Sequence, residues 1–312
     1  MLRLVLVIIC IAATAAALYI TVRGCMARLL RKFLRAPKPG SLGLDYGEEF
    51  DAMCERGERW SLENPEQMLF LTSRDGVRLA AHWWDYGRKH TVIFIHGYGN
   101  TGKQATLVAP LLVDMLDANI LAPDCRGHGE SGCGYIGMGW PDRFDVIDWA
   151  KHIAVRFGEQ HDIVLFGLSM GGASVLSASG EELPNNVRVI CSDCGFSSLY
   201  DMFADVLKTR LHLPKWPLMC IVDGEFKRMF GYYVHDVQPI RQVVGSKVPI
   251  LIIHGSNDQF VPVRMAYELY QVCPGEKEIL IIDGAMHALS AIVDTERYCK
   301  VVGAFCRKYL SE

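Results

Sequence analysis

HDIVLFGLSMGG, from His161 to Gly172, passes from a strand signal through a turn into a helix signal. Ile163–Phe166 is a short apolar run of the kind buried in a parallel sheet, and Ala173–Ser179 reads as a helix. Between them stands Gly167-Leu168-Ser169-Met170-Gly171, a G-x-S-x-G pentapeptide at a strand-to-helix junction. A turn that tight leaves no room for side chains at its flanks, which accounts for both glycines. It holds a serine hydroxyl at its apex, where the amides of a helix N-terminus face a developing negative charge. A glycine-rich turn whose serine only caps the helix would have the same five residues. The rest of the chain has to separate the two readings.

The 312 residues fit one large α/β domain with an appendage, or two small domains. Half of them are hydrophobic and the net charge is -3, which gives ample core material and no basic field suited to nucleic acid. The cysteines show no regular spacing, and Cys191 and Cys306 lie in apolar segments. They read as free thiols of a reducing compartment rather than as a disulfide scaffold. Cys191-Ser-Asp-Cys194 lacks the second pair that a metal or redox site would need.

Leu4 to Val22 carries no charge. At about 1.5 Å per residue a helix of that length spans roughly 28 Å, close to the hydrocarbon thickness of a bilayer. Arg23, Arg28, Arg31, Lys32, Arg35 and Lys38 follow it, against Arg3 alone before it. The positive-inside rule therefore predicts a single-pass anchor with the C-terminal side cytoplasmic. The competing reading is a signal peptide cleaved near Ala15-Ala16-Ala17, giving a secreted protein. The basic cluster directly behind that site and the free thiols weigh against export. Pro37 to Gly43, PKPGSLG, is a linker by composition. It divides the chain into an anchor with linker at 1–43 and a domain at 44–312.

Residues 44–66 read as a helix or two. Met68–Leu71 and Val77–Trp84 alternate around Arg74-Asp75-Gly76 as an antiparallel hairpin. Thr91–Ile95, Ile120–Ala122, Val187–Ser192, Pro249–Ile253 and Glu278–Ile282 read as further strands. Phe144 to Phe157 and Thr295 to Tyr309 have helical periodicity. Residues 196–246 are rich in aromatic and apolar side chains and broken by prolines. Such a segment between two strands reads as a short helical cap over a binding edge.

HGYGNTGK, His96 to Lys103, admits two readings. It fits a G-x-G-x-x-G dinucleotide fingerprint, with Asp124 at the end of the next strand, and even a G-x-x-x-x-G-K phosphate loop. However, Gln104 stands where a magnesium-ligating Ser or Thr belongs, and a hairpin precedes the strand that should come first. The other reading is an H-G-x turn whose backbone N–H after the glycine helps form an oxyanion hole. His96 is then structural. This reading is favoured because it and the serine turn explain one another. Asp124 and His128, in the loop after the fourth strand, read as loop hydrogen-bonders.

H-G-Y-G, D-x-R-G-H-G-x-S, G-L-S-M-G, G-S-N-D-x-x-V-P and G-A-M-H follow in that order over about residues 67–312. In this order they resemble the α/β-hydrolase superfamily, and more narrowly its monoglyceride lipase-like serine-hydrolase branch. The resemblance implies the α/β-hydrolase fold: a mostly parallel eight-stranded sheet with helices on both faces and a short cap at about 196–246. It also implies Ser169 as nucleophile, His287 as base and Asp258 as the acid that orients it, in the expected chain order. The backbone N–H groups of Tyr98 and Met170 would form the oxyanion hole. Asp193, after the sixth strand, is the alternative acid. The implied reaction is cleavage of a carboxylic ester, small or lipid-like, through an acyl-serine, with no metal or organic cofactor. A serine nucleophile speaks against the dehalogenase and epoxide-hydrolase branches. A peptidase, thioesterase or acyltransferase on the same residues stays open, as does a non-catalytic binding protein of this fold. The sequence does not give the oligomeric state.

Overall fold

Four strands bury every one of their residues: β3 (His90–Ile95), β4 (Ala118–Pro123), β5 (Asp162–Leu168) and β7 (Ile250–Gly255). Their runs of Ile, Val, Leu and Phe suit a sheet covered on both faces. The structure is a computed structural model that describes residues 2–35 and 48–311, so the linker and the division placed at residue 43 lie outside the described residues.

The sheet is completed by β1 (Gln67–Thr72), β2 (Arg78–Trp84), β6 (Val187–Asp193) and β8 (Lys277–Ile282). Its eight strands run in the order β1-β2-β4-β3-β5-β6-β7-β8. The hairpin β1–β2 and the pair β2–β4 are antiparallel, and every other pair is parallel. This is the eight-stranded α/β-hydrolase sheet implied by the motif order. The strand segments read from the sequence are all present, most of them a residue or two longer than read.

The helices are α1 (Leu2–Leu34), α2 (Glu48–Glu63), α3 (Ala109–Leu116), α4 (Asp142–Phe157), α5 (Met170–Ala178), α6 (Leu199–Thr209), α7 (Lys215–Phe230), α8 (Pro239–Val243), α9 (Arg264–Val272), α10 (Ser290–Val293) and α11 (Thr295–Arg307). One apolar core lies under α4, α5 and α9, where Trp149, Leu176 and Leu269 meet the sheet. A second lies on the other face under α2, α3 and α11, where Met53, Leu112 and Val302 meet it. Helices α6 to α8 fall within the segment read as a cap. All eleven cysteines are free, and Cys191 faces Cys306 at 3.6 Å between sulfurs rather than Cys194.

Helix α1 is longer than the span expected from hydropathy. Its apolar stretch is exposed, and within the 29 residues from Leu6 to Leu34 an 18-residue window reaches a mean hydropathy of 2.1, long and apolar enough to cross a membrane. Beyond Val22 the helix continues without a break and packs on the body. Ala27, Leu30 and Leu34 are buried and Met26 and Phe33 partly so, a spacing that puts one helical stripe against the protein. Arg23 Nε reaches Glu225 on α7 at 2.7 Å. At the other end the Ile136 N–H donates to the Leu34 carbonyl at 2.9 Å, satisfying one of the acceptors a helix end leaves open.

Candidate active site

The site is built at the carboxyl ends of the parallel strands, where loops from β3, β5, β7 and β8 converge. Ser169 follows β5 and precedes α5, with φ 56° and ψ −115°. That is a rare conformation for a side chain larger than glycine, and the backbone around it holds it there. The Ser169 N–H donates to the Asp193 carbonyl at 2.8 Å, and the Ser169 carbonyl accepts from Ala173 at 3.0 Å. A Cβ at Gly167 would lie 2.2 Å from the Gly171 carbonyl oxygen, and one at Gly171 would lie 2.0 Å from that of Ile95. Both flanking glycines are there because the turn leaves no room for anything else.

His287 stands on the loop after β8, with its Nε2 at 2.8 Å from Ser169 Oγ and its Nδ1 at 2.7 Å from Asp258 Oδ2. An ionised carboxylate can only accept, so Nδ1 carries the proton and Nε2 is left to accept from the serine. Asp258 is fixed on the loop after β7, where its Oδ1 accepts the N–H groups of Phe260 and Val261, both at 2.8 Å. Burial by itself would push the Asp258 carboxyl up. Hydrogen bonds and charge from His254 and His287 outweigh burial and hold it well below the ordinary carboxylate range. The structure thus brings together the three side chains the sequence nominated.

Tyr98 lies in the turn after β3. Its neighbours' amides are both taken, Gly97 N–H by Gln104 Oε1 at 2.9 Å and Gly99 N–H by His128 Nε2 at 3.1 Å. The Tyr98 N–H has no protein acceptor among the described residues, and neither has that of Met170 in the first turn of α5. Asp124 and His128 hold loops, as read: Asp124 accepts from the Gly102 and Glu130 amides at 2.7 Å each. His96 is fully buried, its Nε2 accepting from the Cys125 N–H at 2.9 Å. A phosphate loop needs its amides free, and here those of Gly97, Gly99 and Gly102 are bonded within the protein. Arg126 grips Asp145 through two nitrogens at 2.6 and 2.7 Å, which pins the same loop.

Asp193 takes no part in the hydrogen-bonded line. Its Oδ2 accepts from the Tyr298 hydroxyl at 3.1 Å, and its Oδ1 has no partner among the described residues. Burial pushes its carboxyl up to about 6, although the Tyr298 hydrogen bond pulls the other way. The native state therefore holds this proton more tightly than the unfolded chain does. Ionisation costs stability as pH rises from the ordinary carboxylate value, about 4, through about 6, and the cost is complete above that. Asp193→Asn should be more stable than the parent at pH 8, by on the order of 2 kcal/mol. That gain should vanish near pH 4, as thermal melts across pH will show.

Three features of the site had no readable signal. His254 lies at the end of β7, with its Nε2 at 2.8 Å from the Val261 carbonyl and 3.2 Å from Asp258 Oδ2. Only its position four residues before Asp258 could have hinted at this. Cys194 Sγ, the Asp258 carboxylate and the His287 imidazole have ligating atoms within 4.8 Å of one another. In this grouping the acid and imidazole are already bonded to each other, and burial pushes the Cys194 thiol well up. Finally, the Tyr98 ring stacks on Phe33 of α1 at 4.5 Å, and its hydroxyl donates to the Phe33 carbonyl. The turn beside the serine is therefore tied to the end of the N-terminal helix.

Residues 92–298 match the profile of the family described as the alpha/beta hydrolase family. The chain is 28% identical to the Bacillus subtilis protein YqkD over 247 residues, covering 78% of this chain and 81% of that one. It is 27% identical to the Escherichia coli K12 protein YfhR over 241 residues, covering 73% and 74%. Among solved structures it is similar to the Pyrococcus furiosus esterase Pf2001, with a TM-score of 0.66 and 22% identity over 89% of this chain and 99% of that one. At that identity the likeness is one of fold.

Proposed function

The chain belongs to the alpha/beta hydrolase family, and on that premise we propose that it is a serine hydrolase of carboxylic esters carried on a membrane helix. The observation that carries this reading is the hydrogen-bonded line from Asp258 through His287 to Ser169, facing two unbonded amides. Ser169 Oγ attacks the ester carbonyl while His287 Nε2 takes its proton, and Asp258 stabilises the resulting imidazolium. The oxyanion sits on the Met170 and Tyr98 N–H groups. Collapse breaks the bond to the alkoxide, which leaves with the proton from His287. An acyl-serine remains. Water then gives its proton to His287, attacks the acyl carbon, and returns the serine hydroxyl and a carboxylic acid.

Support for an apolar acyl group comes from a cavity of about 520 Å³ beside the site, within the usual range for small-molecule pockets. Met53 of α2, Phe94, Tyr98, Phe166, Leu168 and Ile292 line much of it. Leu168 and Ala288 of its wall adjoin Ser169 and His287 in the chain. For α1, the exposed apolar run followed by Arg28, Arg31, Lys32 and Arg35 supports a single-pass anchor with the body in the cytoplasm.

One experiment tests both halves. The full-length protein is exposed to a membrane-impermeant fluorophosphonate, in intact and in lysed cells, and its intact mass is measured. A single adduct after lysis, none in intact cells, and none on Ser169→Ala in either is the expected result. No adduct on folded parent protein after lysis would mean the serine is not an activated nucleophile. An adduct in intact cells would put the body outside.

A further inference from the structure

The loop joining α6 to α7 is apolar, basic and exposed. Leu211, Leu213 and Trp216 are 57%, 42% and 77% exposed, and Trp216 is the most exposed of the tryptophans. Lys208, Arg210 and Lys215 are interleaved with them, and no acidic residue occurs from 206 to 222. Isolated exposed leucines need no explanation, but a basic loop carrying a bare tryptophan and two leucines does. That combination is the one a protein places at the boundary between lipid headgroups and acyl chains.

The path of α1 says which surface covers the loop. The helix has no break between its exposed apolar part and the stripe that packs on the body, so the body lies directly beneath the membrane segment. At its C-terminal end Arg35 lies over the Tyr135 ring at 6.0 Å, and Tyr135 meets Phe230 at the end of α7, with ring centroids 5.8 Å apart. Earlier in α1, Arg23 pairs with Glu225, nearer the middle of α7. The two helices therefore run in the same sense. Trp216, with extended backbone at φ −99° and ψ 137°, precedes the regular turns of α7, whose N-terminal end faces the side from which the membrane segment emerges.

The loop also borders the site. Arg210 stacks over the Phe260 ring at 5.3 Å, and Phe260 lies 5.1 Å from the His287 ring, centroid to centroid. We propose that residues 210–216 form a second membrane contact, dipping Leu211, Leu213 and Trp216 into the leaflet beneath which the body hangs. Lys208 and Arg210 meet its anionic headgroups, beside Lys215, whose Nζ lies 3.8 Å from Asp201 Oδ1. The contact seats the His287 side of the site on the bilayer, so its substrate is an ester that resides in the membrane. This deepens the reading of the chain as an anchored ester hydrolase and rests on it.

The test uses full-length protein in phosphatidylcholine vesicles containing phosphatidylserine, with some lipids brominated on their acyl chains. Trp216 fluorescence should be quenched by the bromines, and Trp216→Phe should remove the quenched component. Equal quenching in parent and Trp216→Phe would overturn the docking. Quenching is read equally well on Ser169→Ala, so an inactive protein does not obscure it. The triple variant Leu211→Ser, Leu213→Ser, Trp216→Ser should hydrolyse p-nitrophenyl acetate in solution at the parental rate. On p-nitrophenyl palmitate dissolved in the vesicles it should be about tenfold slower. Parental rates on both esters would sink the claim about substrate. A parent that is quenched but hydrolyses neither ester would overturn the esterase reading and leave the docking standing.

Discussion

Asp258→Asn should lower kcat by about 10⁴-fold with KM near the parental value. The Asp258 side chain has two jobs, and an amide can do only one of them. Its Oδ1 accepts from Phe260 and Val261, and its Oδ2 accepts from His287 Nδ1. If the amide oxygen keeps the two backbone donors, the NH₂ faces Nδ1 and forces that nitrogen to accept. The proton then sits on Nε2, the atom that must take the proton of Ser169. The fold survives and the base is lost, which is why kcat rather than KM should fall. The same variant makes a claim about stability. In the parent the carboxyl is held below its ordinary range, so its contribution is present above about pH 4 and is lost as pH falls through the lower, native value. Parent and variant should therefore differ most in melting temperature at neutral pH and converge in acid. Asp193→Asn, by contrast, should keep near-parental kcat, since that carboxylate is bonded to Tyr298. A variant pair that behaved the other way round would transfer the role of acid to Asp193.

The elbow, the strands and the three nominated side chains were legible because each is a local pattern. A continuous apolar run followed by G-x-S-x-G leaves little choice of structure. The loops that end in Asp258 and His287 are short and sit directly after strands β7 and β8, so sequence position alone puts them at one edge of the sheet. What stayed hidden depends on contacts between distant segments. Hydropathy marked Leu4 to Val22 and stopped at the first arginine. It could not show that the helix continues and lays Ala27, Leu30 and Leu34 on the body, because that stripe is masked by the basic residues between its members. For the same reason nothing near Tyr98 announces that Phe33 stacks on it across 65 positions of chain. His254 is a different case: it lies only four residues before Asp258, but as one of several histidines before a glycine it gave no sign that the turn after β7 sets its Nε2 3.2 Å from that carboxylate. The loop of residues 210–216 illustrates a related limit. Its apolar excess read as part of a cap over a binding edge, and the sequence could not show that Leu211, Leu213 and Trp216 are exposed.

Gly171→Ala should cost at least about 3 kcal/mol of stability and lower the melting temperature by roughly 5–10 °C. The added methyl would meet the Ile95 carbonyl oxygen at 2.0 Å, its carbon at 2.5 Å and the His96 carbonyl oxygen at 2.8 Å. All three are backbone atoms of β3 and its end, so no side chain can rotate away to make room. Either α5 lifts from the sheet or β3 shifts, and both movements pass through the site. Met170, the residue before Gly171, carries one candidate oxyanion N–H, and Tyr98, three residues past Ile95, carries the other. Separating them by a few tenths of an ångström should lower kcat by about 10²-fold even below the melting transition. Gly224→Ala is the matched control. It lies within α7 with nothing within 4 Å of the position its Cβ would take. There the methyl removes backbone freedom from the unfolded chain, and stability should rise by about 0.5–1 kcal/mol without a change in rate. If Gly171→Ala behaved like Gly224→Ala, the close contact between β3 and α5 would not exist. The geometry that puts the serine beside two unbonded amides would then have to be abandoned with it.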